Sequence, residues 1–185
     1  MTSSFVVIEK DCWNGRRNFL RVAVLLYLLI VCAGLSHAQK PQPMIGSVVP
    51  DFERSDLHGN RVRVSVLRGH VVLLNFWATW CAPCQQEMPV FVEWQKKYAG
   101  QGLQILGVSM DDDDRLVRKL ATRLQINYPL MMADKNLLDS YGEILGLPVT
   151  LLVDRKGVIR ARFEGETHPT EIEKQLRQLL AESSA

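Results

Sequence analysis

Cys81-Ala82-Pro83-Cys84 holds the most reactive side chains of this 185-residue chain. A β-prone apolar run, Val71 to Trp77, leads through Ala78-Thr79-Trp80 into the cysteines, and a helical pattern beginning Gln85-Gln86-Glu87-Met88-Pro89 follows at once. That order puts the first thiol at a helix N-terminus, where unpaired backbone N–H groups and the helix dipole favour thiolate over thiol. The second thiol lies one turn on, close enough to form a disulfide with the first. Reversible dithiol/disulfide exchange is the chemistry such a pair suits. The other two cysteines, Cys12 and Cys32, lie near the N-terminus. A disulfide-held scaffold needs more cysteines at longer spacing. A zinc site needs two further ligands, and the four histidines do not cluster. His58, His70 and His168 read as turn or loop residues at the surface, so neither metal nor cofactor is expected.

The elements that must position the pair can be read on either side of it. Val62 to Val66 alternates as a half-buried strand does, after a turn at Leu57-His58-Gly59-Asn60. Val71 to Trp77 is almost wholly apolar, as a central strand covered on both faces would be. Cys81 to about Tyr98 reads as a helix kinked at Pro89 and ended by Gly100 and Gly102. Leu103 to Ser109 is a second apolar strand. The run Asp111-Asp112-Asp113-Asp114 then opens a helix, where negative charge suits the N-terminal end, and lacks the alternating ligands and glycine of a calcium loop. Leu116, Leu120 and Leu124 mark that helix's buried face. Pro129 to Ala133 reads as a short strand, Leu137 to Glu143 as a short helix and Val149 to Val153 as a third buried strand. Asp154-Arg155-Lys156-Gly157 is a hairpin turn into the alternating Val158 to Phe163. Thr170-Glu171-Ile172-Glu173 has the form of a capping box that starts the last helix. Together these predict an α/β fold, a central mixed sheet flanked by helices. Trp77 is expected in the core, and Trp80 partly exposed as an apolar contact for a client chain.

The first 38 residues read as a signal peptide. Arg16 and Arg17 precede an uncharged run of 14 residues from Val22 to Leu35, and the small-residue site Ser36-His37-Ala38 follows. Arg16-Arg17-Asn18-Phe19-Leu20-Arg21 is similar to a twin-arginine export signal. Residues 19–35 are also a candidate uncleaved anchor, although a span needs about 20 apolar residues. Residues 39–50, with Pro41, Pro43 and Pro50, form an extended lead-in, and residues 45–185 suit one domain. Residues 1–38 hold four of the 22 Lys and Arg and two of the 20 Asp and Glu, so 18 of each remain beyond them. Such a balance argues against nucleic-acid binding, which favours a basic surplus.

The chain resembles the TlpA/ResA group of exported thiol-disulfide oxidoreductases in the thioredoxin superfamily, from about Ile45 to the C-terminus. Asn75-Phe76-Trp77-Ala78-Thr79-Trp80-Cys81-Ala82-Pro83-Cys84, Glu87-Met88-Pro89 and Gly146-Leu147-Pro148-Val149-Thr150 carry the likeness. It implies a thioredoxin-like fold with N-terminal extension strands. It also implies a cis Pro148 facing the cysteines, with Leu147 presenting its backbone to a docking substrate. Trp80, Pro83, Leu147 and Pro148 are thus the expected docking residues. Cytosolic thioredoxins carry a buried Asp six residues before the first cysteine, where this chain has Asn75. Glu87, one helical turn beyond Cys84, becomes the nearest acid/base, and in the ResA branch a glutamate at this place tunes the cysteine acidities.

On this reading Cys81, exposed and acidic, attacks a client disulfide and Cys84 resolves it. A DsbD/CcdA-type membrane reductant recharges the pair on the periplasmic side. Two alternatives stay open. One is a thiol peroxidase on the same fold, although no proline stands at the usual place before Ala78-Thr79-Trp80-Cys81. The other is a copper-binding chaperone using two soft thiolates.

Overall fold

The computed structural model describes residues 43–142 and 144–182. The expected signal peptide, twin-arginine segment and candidate anchor lie outside the described residues. No helix among the described residues is long and apolar enough to cross a membrane.

The main sheet has five strands: β3 (Val71–Trp77), β4 (Leu103–Ser109), β5 (Leu130–Met132), β6 (Val149–Val153) and β7 (Ile159–Glu164), in the order β5-β4-β3-β6-β7. The β3, β4 and β5 strands are parallel, β6 is antiparallel to β3, and β7 is antiparallel to β6. A separate antiparallel pair, β1 (Glu53–Ser55) and β2 (Arg61–Arg63), supplies the N-terminal extension. The helices are α1 (Ala82–Tyr98), α2 (Asp114–Arg123), α3 (Lys135–Tyr141) and α4 (Pro169–Ala181).

Side chains of a strand alternate between faces, and β3 splits accordingly. Val71, Leu73 and Trp77 join a core with Cys84, Met88 and Phe91 of α1, Val117 and Leu120 of α2, and Ile172 and Leu176 of α4. Val72, Leu74 and Phe76 join the opposite core, with Leu137 and Tyr141 of α3 and Val49 of the lead-in. Every residue of β3 is buried, which explains its unbroken apolar character. Asn75, the one polar residue of the strand, shares the parity of Leu73 and Trp77 and so faces α1.

Four expectations need correction. Val64–Leu67 is a 3-10 turn, so the strand read there ends at Arg63. Alternation can identify a half-buried segment but does not require sheet partners. Leu116 is 53% exposed, and Val117 takes the inward place instead. A four-residue repeat drifts around a helix of 3.6 residues per turn, so its register alone does not choose the face. The last helix is capped by His168, whose ring accepts from Thr170 N–H, with Pro169 in its first turn. Thr170 is therefore already inside the helix. Finally, Cys81 is 5% exposed and buried in the disulfide form, not exposed as expected.

Candidate functional site

The cysteine loop springs from the carboxyl end of β3, beside that of the parallel β4, an edge where ligands of open α/β sheets gather. Cys81 is the N-cap of α1, extended at φ −90° and ψ 102°, and its sulfur accepts from Cys84 N–H at 3.3 Å. Pro83 lies in the first turn, where a missing N–H breaks no helical bond. Lys96 and Lys97 close the other end with charge that complements the dipole. Cys81 and Cys84 are joined by a disulfide, S–S 2.05 Å. Cys84 is fully buried and Cys81 nearly so, while Trp80 beside them is 70% exposed.

Glu87 is on α1 one turn past Cys84 and is only 7% exposed. Its Oε1 accepts from Asn75 Nδ2 at 2.8 Å, and the same amide donates to Thr150 Oγ1 of β6 at 3.0 Å. Burial raises the Glu87 carboxyl from 4.5 to about 7, against the Asn75 hydrogen bond, which lowers it. Near neutrality this group can therefore hold or release a proton, as a general acid/base must. Tyr128 and Trp77 are buried nearby, their hydroxyl and indole N–H without partners among the described residues. Burial, with the Glu87 charge second, pushes the Tyr128 phenol upward. Both rings pack around Gly107, where a Cβ would stand 3.1 Å from Trp77 Nε1 and 3.5 Å from Tyr128 Cε2.

The Leu147–Pro148 peptide is cis. Val149 pairs with Phe76, so Pro148 sits at the end of β6 next to the end of β3 that carries the cysteine loop. Pro148 is buried and its carbonyl accepts from Gly165 N–H at 2.8 Å. Leu147, half-buried, lines a cleft of about 260 Å³ with Leu145, Val149, Arg162 and Glu164. The fold thus gathers Cys81, Cys84, Trp80, Pro83, Glu87 and Pro148 around the carboxyl end of β3.

Asp111 does not stand out in the sequence, where the whole acidic run suits a solvated helix start. Only Asp113 caps α2, accepting from Arg115 N–H at 2.9 Å. Asp111 is buried and bonds Thr79 of the cysteine loop instead. One available signal was its place directly beyond β4, on the strand neighbouring the one that carries the cysteines.

Comparison with known proteins agrees with this geometry. Residues 45–162 match the AhpC/TSA family. The chain is 33% identical over 168 residues to the thiol-disulfide oxidoreductase ResA of Geobacillus kaustophilus, covering 89% of this chain and 97% of that protein. It is 34% identical to its namesake in Geobacillus thermodenitrificans, with the same 89% and 97% coverage. Among solved structures, a thiol:disulfide interchange protein of the thioredoxin family from Chlorobium tepidum superposes with a TM-score of 0.69. It is 26% identical, over 75% of this chain and 99% of that one. The chain belongs to the AhpC/TSA family and, within the thioredoxin superfamily, is a ResA-type thiol-disulfide oxidoreductase.

Proposed function

We propose that the protein reduces disulfides in exported client proteins, with Cys81 as attacking thiol, Cys84 as resolving thiol and Glu87 as their acid/base. The Cys81 thiolate attacks one sulfur of a client disulfide. The client S–S bond breaks, a mixed disulfide forms, and the displaced client thiolate takes up a proton. Glu87 accepts the Cys84 proton, and the Cys84 thiolate attacks Cys81 Sγ. The mixed disulfide breaks, the Cys81–Cys84 bond forms, and the second client thiolate leaves. Two electrons pass to the client, and a membrane reductant of the DsbD/CcdA type returns them by the reverse exchange.

The buried Glu87 carboxyl, poised at about 7 one turn past Cys84, carries this reading. Asn75 orients that carboxyl but has no proton to exchange with a thiol, which leaves Glu87 the acid/base role. Reduction as the direction is supported by Ala82-Pro83, since strong oxidants often carry a His between their cysteines. The arginine, apolar and small-residue sequence of residues 16–38 supports a periplasmic or extracytoplasmic location, cleaved or anchored through residues 19–35. Haem-binding cysteines of apocytochrome c and copper-site cysteines suit as clients, while Trp80, Pro83 and Leu147 offer the docking surface and the buried Pro148 keeps the Leu147 peptide cis.

The test is capture. Cys84→Ser accumulates mixed disulfides through Cys81, and mass spectrometry of the trapped chains identifies clients and donor together. Cys81→Ser abolishes exchange. No trapped species from Cys84→Ser, in cells where the wild type is active, overturns the division of roles.

A further inference from the structure

The loop that presents Cys81 is gripped by side chains that take no part in the thiol cycle. Thr79 is held at three atoms. Its N–H donates to Asp111 Oδ2 at 2.8 Å, and its hydroxyl donates to Asp111 Oδ1 at 2.5 Å. Its carbonyl accepts from Gln85 Nε2 at 2.7 Å. Gln85 is fixed in turn by Arg123 of α2, whose Nη2 donates to Gln85 Oε1 at 2.7 Å. Asp111, 8% exposed, also accepts from Ser109 Oγ at 2.7 Å, anchoring the carboxylate to the end of β4. A further bond, Met110 N–H to Trp77 C=O at 2.8 Å, ties the segment before Asp111 to the end of β3. Two side chains, Asp111 and Gln85, therefore hold the residue two places before the attacking cysteine, and Ser109 and Arg123 hold them in turn.

We propose that Thr79 and Asp111 are positioning residues for the exchange reaction, a clamp that keeps Cys81 Sγ over the first turn of α1 once the disulfide opens. This rests on the reading of Cys81 as the attacking thiol. In the oxidised protein the bond to Cys84 ties Cys81 to the helix. Reduction removes that tie and leaves the sulfur's position to the backbone of residues 78–81. The turn there is closed by Cys81 N–H donating to Ala78 C=O at 3.2 Å. A thiolate at Sγ depends on the first-turn amides, of which Cys84 N–H is 3.3 Å away, and this stabilisation weakens with distance and misalignment. The two bonds from Thr79 to Asp111 are short and part-buried and both end on one carboxyl group, so together they hold the turn when the disulfide is open.

The test compares Thr79→Val, which removes the hydroxyl donor at similar volume, with Thr79→Ser, which keeps it. The alkylation of each thiol in the reduced enzyme is followed against pH by mass spectrometry. In Thr79→Val the midpoint for Cys81 is expected to rise by about one pH unit. Its kcat/KM toward a protein disulfide near neutral pH is expected to fall about tenfold. Thr79→Ser restores both. A Thr79→Val protein that unfolds earlier but keeps the wild-type alkylation midpoint and rate overturns the proposal, as does failure of Thr79→Ser to rescue. Should Thr79→Val not fold, Asp111→Asn takes its place, keeping the shape of the side chain but only one acceptor oxygen for the two Thr79 donors, and an unchanged Cys81 midpoint there is equally fatal. A wild-type enzyme in which Cys81 is not the more acidic thiol would instead sink the reading of Cys81 itself, which separates the two failures.

Discussion

Replacing Glu87 by Gln should change how stability depends on pH, in a direction fixed by the burial of this carboxyl. Its pKa is raised from 4.5 to about 7 in the folded protein. Between those values the folded protein keeps the proton that the unfolded chain has lost. Stability from this group is therefore full below about pH 4.5, declines as pH rises toward 7 and is flat above. At about 1.4 kcal/mol per pH unit, the window amounts to about 3 kcal/mol. Gln is uncharged and nearly isosteric, and its carbonyl oxygen can still accept from Asn75. Asp51, Asp56, Asp113, Asp134 and Glu173 have lowered pKa values and act in the opposite sense, losing stability as pH falls below their unfolded values. They are common to both proteins and cancel in the difference. The assay is urea unfolding of the oxidised wild type and Glu87→Gln from pH 5 to pH 8, compared at equal m-value. Relative to the variant, the wild type should lose about 2–3 kcal/mol across that range, since pH 5 already lies inside the window. A difference constant to within about 0.5 kcal/mol would refute the reasoning, because the carboxyl would then be as well solvated as one on the surface.

Other outcomes follow from the same site. Glu87→Gln should slow client reduction by about a hundredfold near pH 7 and flatten its pH profile there, measured by stopped-flow thiol exchange. Trp80→Ala, at a position 70% exposed, should change stability by less than about 0.5 kcal/mol. It should raise KM for a protein client while leaving reaction with a small disulfide unchanged. Gly107→Ala should destabilise by about 1–3 kcal/mol in thermal or urea unfolding. The added Cβ would lie 2.5 Å from Leu130 Cδ2 and 3.1 Å from Trp77 Nε1. Equilibration with glutathione should place the Cys81–Cys84 couple nearer the roughly −270 mV of thioredoxin than the roughly −120 mV of a strong oxidant, and the reverse would make the protein an oxidase.

The clearest parts of the chain were those in which one local rule governs. Val71–Trp77 and Leu103–Ser109 are runs buried on both faces, so their apolar continuity identifies them directly. The Cys81 N-cap and the first turn of α1 follow from the abrupt change from strand to helix pattern. Elements on the border of the core were harder. At Leu116 and Val117 two adjacent apolar residues compete for one inward place, and only the packing against Leu120 and the sheet selects Val117. At Thr170 a good capping pattern loses to His168 because Pro169 has already started the helix. Asp111 is chemically indistinguishable from Asp112, Asp113 and Asp114 in the chain, yet it is the one that reaches Thr79, 32 residues earlier.

The reactive pair, its place at a helix start, the alternation of strand and helix around it and the near-neutral charge beyond residue 38 are legible in the residues alone. These depend on neighbours within a few residues, where spacing and side-chain type are enough. The burial of Glu87, the meeting beside it of Asn75 and Thr150, 75 residues apart, and the grip of Asp111 on the loop before Cys81 arise only when distant strands and helices pack together. A carboxyl's proton affinity is set by the water removed from it and by the donors that arrive from distant strands, and neither is written in the residues next to it.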